Sequence, residues 1–62
     1  MKSPRWQIEY HWINDEGICE TYRFTKIYTN LDEAIKSYED YVRLGGNGWY
    51  SLVEITERVI SI

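Results

Sequence analysis

The stretch TNLDEAIKSYEDYVRLGGNG, Thr29 to Gly48, decides the fold, because it carries the start, the body and the end of one helix. Asn30 is a typical N-cap residue, whose side-chain oxygen can accept a hydrogen bond from a backbone N–H of the first turn. Glu33, three residues further on, completes a capping-box pattern. Gly45 can adopt the positive φ angle that ends many helices, and the glycine-rich run after it stops the helix. The pattern predicts a helix over about residues 31–44.

The predicted helix has one apolar side. Its apolar residues recur at the three- and four-residue spacing of a helical stripe, which is typical of a helix that packs on one face. Opposite charges four residues apart, such as Asp32 and Lys36, favour a solvated opposite side. The stripe expected to face the sheet is Leu31, Ala34, Ile35, Tyr38 and Val42, with Tyr41 at its margin.

Two strands are predicted before the helix. Apolar residues alternate with polar ones from residue 6 to residue 12, which is the pattern of a half-buried strand. The segment NDEG, residues 14–17, suits a three-residue hairpin loop that a glycine with positive φ closes. This loop sets the register of the hairpin. The expected pairs are Tyr10 with Tyr22, Ile8 with Phe24, Glu9 with Arg23 and His11 with Thr21.

The region after the helix predicts a third strand, since it is rich in β-branched and aromatic residues. Its alternation favours Val53, Ile55 and Val59 on the core side and Leu52 and Glu54 on the outer side. The predicted strands cover about residues 6–13, 18–28 and 50–60. We expect a bend at residues 25–27, and we expect residues 1–5 to be flexible.

These elements predict a single α+β domain over residues 1–62 with the order ββαβ. A right-handed crossover after a hairpin places the third strand beside the first and antiparallel to it. The expected sheet is therefore three-stranded and antiparallel, with strand order 3-1-2 and one helix packed on one face.

Composition narrows the classes of function. The chain has 62 residues and a net charge of −3, and an acidic protein gains little from a phosphate backbone, so we expect no direct binding of nucleic acid. It shows no apolar run long enough for a membrane span and no secretory leader. A single cysteine agrees with a reducing compartment. We therefore expect a cytoplasmic protein with no membrane contact.

The sequence offers little for catalysis or cofactor binding. His11 and Cys19 are the residues with nucleophilic or metal-binding chemistry, but a thiolate–imidazole catalyst also needs an orienting group and an oxyanion site. Zinc needs about four ligands at suitable spacing. The glycine run at residues 45–48 follows a helix C-terminus, whereas phosphate loops precede an N-terminus. We expect no catalytic, metal-binding or cofactor-binding residues, and no enzyme.

The aromatic side chains are the main candidates for a binding surface. Most of them fall on the inner side of the predicted hairpin, where packing under the helix is the better interpretation. Four others cluster near the helix ends and the start of the third strand, and interface cores are enriched in such side chains. The predicted partner-binding residues are the anchors Tyr28, Tyr41, Trp49 and Tyr50 and the orienting charges Asp32, Glu39, Asp40 and Arg58.

The segment IYTNLDEAIKSYEDYV, residues 27–42, follows a tryptophan-led hairpin and precedes a short strand that ends near Ile55 to Arg58. This layout resembles the small phage host-takeover proteins, in particular the phage-encoded inhibitors of bacterial RNA polymerase. Those proteins have one helix on three strands and a similar aromatic, small polar, Leu-Asp-Glu-Ala segment. The resemblance implies the same fold and a role in blocking a host protein. Basic residues of the last strand contact the polymerase in that family, whereas here Glu57 stands beside Arg58.

The expected function is therefore a non-enzymatic, protein-binding inhibitor of a host protein or complex, encoded by a phage. Host transcription and antiviral defence such as CRISPR remain equally open as targets. The alternative is a self-associating structural or regulatory protein. That alternative would use an exposed edge strand or an outer surface formed by Ile13, Leu52 and Ile60 to form a homodimer.

Overall fold

The computed structural model describes residues 4–55, which form three strands and one helix. The elements are β1 (Arg5–Ile13), β2 (Cys19–Arg23), α1 (Leu31–Leu44) and β3 (Trp49–Ile55). The sheet is antiparallel with order β2-β1-β3, which confirms the predicted α+β ββαβ fold with the first strand in the centre. Flexibility was predicted for residues 1–5, but Arg5 already belongs to β1. Residues 1–3 and the predicted strand over residues 56–60, which includes Arg58, lie outside the described residues.

Asn14 organises the turn between β1 and β2. Its side-chain Oδ1 accepts hydrogen bonds from the backbone N–H groups of Glu16 at 2.9 Å and Ile18 at 3.0 Å. Gly17 has a φ of +81° and donates its N–H to the Asn14 carbonyl at 2.9 Å. This is the predicted loop, and it produces the predicted register. The pairs are Glu9 with Arg23, Tyr10 with Tyr22 and His11 with Thr21.

The second strand is shorter than predicted, since β2 ends at Arg23 instead of near residue 28. Phe24 still donates its N–H to the Ile8 carbonyl at 2.9 Å. The chain then bends and returns at Tyr28, whose N–H and carbonyl both bond to Trp6, at 2.8 and 2.9 Å. The expected bend is present, but it interrupts the strand. One reason is Lys26, whose Nζ lies 4.9 Å from the centre of the Tyr28 ring on the surface instead of entering the interior.

Both ends of α1 match the sequence prediction. The Asn30 side chain accepts a hydrogen bond from the Glu33 N–H at 3.2 Å, which fixes the first turn. Gly45 has a φ of +76° and donates its N–H to the carbonyls of Tyr41 and Val42. The exact bounds of the helix therefore follow from local capping.

The face of α1 that packs on the sheet differs from the predicted stripe. Ala34 is fully buried, and Tyr38 and Tyr41 pack against the core. Three residues of the predicted stripe stay exposed on the flank of the helix, namely Leu31, Ile35 and Val42. The helix is rotated toward Tyr41 because that ring stacks between two rings of the sheet, and because the small Ala34 side chain allows close approach to the core.

The facing of β3 is the opposite of the prediction. Ile8 pairs with Leu52 and Tyr10 pairs with Tyr50, so Leu52 lies on the side of the helix. Val53 pairs with Gln7 and therefore points to the other side, as does Ile55 opposite Arg5. β3 carries apolar residues on both sides, and its pattern alone could not decide its orientation.

We call the helix-bearing side of the sheet the inner face and the opposite side the outer face. The buried core sits toward one end of the inner face, where Ile8 is 1% exposed, Ala34 0% and Tyr28 8%. α1 packs against β1 and β3. The part of the inner face formed by the hairpin is therefore left beside the helix and not beneath it.

Candidate functional site

A continuous series of aromatic rings crosses the inner face, and we call it the aromatic arc. Neighbouring ring centres lie 4.9 to 5.6 Å apart along it, within the range of favourable aromatic contacts. The three strands and α1 each contribute at least one ring to the arc. In order, its members are Trp12, Tyr10, Tyr50, Tyr41, Phe24 and Tyr22.

The arc surrounds an open groove of about 560 Å³ on the hairpin side of the helix. Five of its rings form the wall, whereas Tyr41 stands behind them and stacks on Phe24 with an angle of 9° between the two planes. Tyr22 is 52% exposed although its neighbours in the arc are partly buried. The groove is lined by Tyr10, Trp12, Ile13, Tyr22, Phe24, Asn47 and Tyr50.

The glycines after α1 bring the loop close to this groove. A Cβ atom at residue 48 would lie 1.9 Å from the backbone oxygen of His11 and 2.9 Å from the Tyr10 ring. Only glycine fits there without a shift of the backbone. The loop therefore packs Gly48 onto β1 and starts β3 beside it, and this contact supports the Tyr10 ring that forms part of the groove wall.

The outer face has a different chemistry. His11 uses both ring nitrogens, because Nδ1 lies 2.9 Å from the Thr21 hydroxyl and Nε2 lies 2.9 Å from the Ser51 hydroxyl. This side chain thus connects β2, β1 and β3. Next to it, Glu9 accepts two short contacts from the Arg23 guanidinium, at 2.6 and 2.7 Å.

The hydrogen bonds of His11 show whether it could act with Cys19 as a catalytic pair. Both nitrogens are engaged by hydroxyl groups, and the exposed Cys19 lies opposite Ile13, with its Sγ 3.9 Å from the Glu20 carbonyl. The histidine and the cysteine therefore do not form a hydrogen-bonded pair. Among residues 4–55, no three His, Cys, Asp or Glu side chains are placed to hold a metal ion together.

The four predicted aromatic anchors do not form one surface. Tyr50 lines the groove and Tyr41 supports it from behind. Trp49 is 48% exposed but lies on the outer face, where its ring stacks on His11 with centres 5.5 Å apart. Tyr28 belongs to the buried core, so it presents little surface to a partner.

The predicted charged residues lie apart from the groove lining. Asp32, Glu39 and Asp40 are exposed on α1. Asp40 forms an ion pair with Arg43, three residues further along the helix, at 3.6 Å. It also borders a smaller recess of about 210 Å³.

The alternation in the sequence predicts an interior position for four of the groove residues, namely Tyr10, Trp12, Tyr22 and Phe24. One signal in the sequence could have shown that some of them stay open. A nine-residue strand is about 30 Å long, whereas a fourteen-residue helix is about 21 Å long. One helix cannot cover the whole length of such a hairpin.

No protein-family model matches the sequence, and neither the curated proteins nor the solved structures that were compared with it contain a match. The part of the chain between residues 4 and 55 contains no helix with the length and apolar composition needed to cross a bilayer. The fold and the site thus define a ββαβ protein with an open aromatic groove beside its helix.

Proposed function

We propose that the protein is a non-enzymatic inhibitor that binds a host protein or complex through the aromatic groove. The observation that carries this proposal is the groove itself, about 560 Å³ in volume and walled by five aromatic rings. Tyrosine and tryptophan are enriched among the residues that contribute most to protein–protein binding. A groove of about 560 Å³ is comparable in volume to pockets that hold small molecules, about 300–1,000 Å³, so it has room for a side chain of a partner protein.

The packing of the arc supports binding by a preformed surface. Tyr10 stacks on Trp12 with an angle of 22° between the planes, and Tyr50 contacts both Tyr10 and Tyr41. Rings that are already held by their neighbours lose little conformational entropy when a partner binds. A chain of 62 residues has only a small surface for binding. A preformed surface lets it bind a partner despite this small area.

A phage origin and action in the host cytoplasm are part of the same proposal. They are supported by the resemblance of residues 28–35, YTNLDEAI, to the strand-to-helix segment of phage host-takeover proteins. Host transcription and antiviral defence are the two classes of target. An inhibitor of either class needs only to occupy a surface, and a rigid groove suits that task.

Affinity capture from bacterial lysate tests the proposal with two matched variants. Tyr22 and Trp49 are both about half exposed, at 52% and 48%, but they lie on opposite faces of the sheet. We expect the unmodified protein and Trp49→Ala to retain one stoichiometric partner, identified by mass spectrometry. Tyr22→Ala should lose it, because it removes one wall of the groove.

Two outcomes contradict the proposal. Recovery of no partner from any plausible host would count against an inhibitor that acts by binding. Loss of the partner with Trp49→Ala and retention with Tyr22→Ala would place the interface on the outer face. Circular dichroism of both variants ensures that a loss of binding is not a loss of folding.

Self-association is the second candidate, and the state of β2 favours it. All five residues of β2 are exposed, and the strand pairs with β1 along one edge. Such an edge can pair with a second copy. Of the three residues predicted to form a self-association surface, Ile13 is exposed, Leu52 lies on the inner face, and Ile60 is outside the described residues. Sedimentation at micromolar concentration tests this second candidate, since a protein that remains monomeric excludes self-association.

A further inference from the structure

We infer that the groove accepts an arginine side chain of the partner protein, an inference that rests on the proposed function. Two observations lead to this ligand. The wall of the groove consists of aromatic rings, and the charge next to it is negative.

The rings favour a flat cation. The face of an aromatic ring carries negative charge density and attracts a guanidinium or ammonium group within about 6 Å of its centre. Guanidinium is planar and weakly hydrated, so it stacks on such a face better than ammonium does. Tyr10, Tyr22 and Tyr50 surround one open volume, which lets a single inserted side chain contact more than one ring.

Glu20 supplies the complementary charge. It pairs directly with Trp12 across the hairpin, and both side chains point to the inner face together with Tyr22. Opposite residues in an antiparallel pair have Cβ atoms about 4.5–5.5 Å apart, so Glu20 lies next to Trp12, which lines the groove, although Glu20 itself is not one of the lining residues. Carboxylates bind guanidinium through two parallel hydrogen bonds, an arrangement that lysine cannot form.

Among the described residues, no lysine or arginine forms an ion pair with the Glu20 carboxylate. None of the groove-lining residues within residues 4–55 is lysine or arginine. Arg23 is close in sequence, but it points to the outer face and binds Glu9. The hairpin turn adds Asp15 and Glu16, both exposed. A positive group from outside therefore meets aromatic faces and negative charge together.

Other occupants use only part of this site. A leucine or phenylalanine side chain would contact the rings but leave Glu20 without a partner. A nucleobase could stack on the rings, yet its phosphate backbone would meet a chain with a net charge of −3. An arginine on a protein partner matches both the rings and the carboxylate.

Nuclear magnetic resonance titration with short synthetic peptides tests the inference. One peptide carries a central arginine, a second carries citrulline, which is planar and similar in shape but neutral, and a third carries lysine. A short oligouridine is titrated in the same way. The indole N–H of Trp12, assigned with Trp12→Phe, reports occupancy of the groove. We expect saturable shifts with the arginine peptide and roughly tenfold weaker binding with citrulline, a change typical of one lost charged contact.

Two variants distinguish an effect of the Glu20 carboxylate from an effect of the protein's overall negative charge. Glu20→Gln should weaken the arginine peptide roughly three- to tenfold and leave the citrulline peptide unchanged, since one charge-assisted contact is lost. Glu39→Gln makes the same change of charge on the exposed side of α1, and it should leave both peptides unchanged.

Several results would overturn the inference. They are equal binding of the arginine and citrulline peptides, equal effects of Glu20→Gln and Glu39→Gln, no shift of Trp12 with millimolar arginine peptide, or binding of oligouridine in place of the peptide. These outcomes are distinct from a failure of the proposed function. If Tyr22→Ala abolishes capture of a partner but the peptides do not discriminate, the groove binds a protein by another group.

Discussion

The two ends of the inner face share the strand β1 and its alternation, yet one end is covered and the other is open. At the covered end, Ile8, Tyr28 and Ala34 are almost inaccessible to solvent. At the open end, Trp12 and Tyr22 occupy equivalent inward positions, and Tyr22 is half exposed. Alternation therefore identifies the face of a strand but does not determine what covers it.

The path of the chain explains the difference. After β2 the backbone returns to Trp6 through Tyr28, so α1 begins beside that end of β1. The helix then runs 14 residues and stops at Gly45, before it can cover the hairpin loop. The covered end has become the core, and the open end has kept its aromatic rings as a surface.

The largest expected effect concerns the covered end. Ile8→Ala should lower the free energy of unfolding by about 2–5 kcal/mol, because it leaves a cavity next to the buried Tyr28 and Ala34. Urea denaturation followed by circular dichroism measures this change. Ile13→Ala is the control, since Ile13 belongs to the same strand but is 55% exposed, and it should change stability by no more than about 0.5 kcal/mol. Similar losses for both variants would show that the two ends are not distinct.

An intermediate loss of stability is expected where the loop between α1 and β3 packs against the open end of the inner face. Gly48→Ala should destabilise the fold by about 1–3 kcal/mol, because the new methyl group collides with the His11 backbone oxygen. Thermal unfolding measures the loss, and the indole signal of Trp12 should shift as the wall of the groove moves. Asn47→Ala is the neighbouring control and should leave the melting temperature nearly unchanged. A Gly48→Ala variant as stable as the original chain would mean that β1 and the loop are not packed together.

The smallest effect is expected at the open end itself. Tyr22→Ala should cost only about 1 kcal/mol, since the main contact of the ring is its edge-to-face packing on Phe24 at 5.2 Å. Phe24→Ala should cost more, because Phe24 packs against both the core and Tyr41. Urea denaturation of the two variants compares them directly. A larger loss for Tyr22→Ala than for Phe24→Ala would indicate that Tyr22 serves stability and is not kept for binding.

Short-range signals explain why part of the fold could be predicted. Asn30 and Gly45 fix the bounds of α1 by hydrogen bonds to their immediate neighbours. Asn14 and Gly17 fix the hairpin and its register in the same way. The order of the strands then follows from the few ways in which a helix can connect a hairpin to a third strand.

The candidate site could be predicted only in part, because it depends on contacts between distant segments. The sequence predicts Tyr41 and Tyr50 as partner-binding residues, and both belong to the aromatic arc. Trp49 was grouped with them, but the pairing of His11 with Trp49 places it on the other face. Tyr22 was assigned to the interior, and nothing in its own neighbourhood of the chain shows that the helix stops short of it.

The sequence by itself determined where the helix begins and ends, how the hairpin pairs and which strand lies in the centre, since each of these depends on residues that are near one another or on simple rules of connection. The tertiary structure alone decided the rotation of α1 toward Tyr41, the facing of Leu52 and Val53, and which aromatic rings line the open groove. The physical reason is that apolar residues on both sides of an element leave several packings of similar hydrophobic gain. Close contacts, such as the one between Gly48 and His11, select one of these packings.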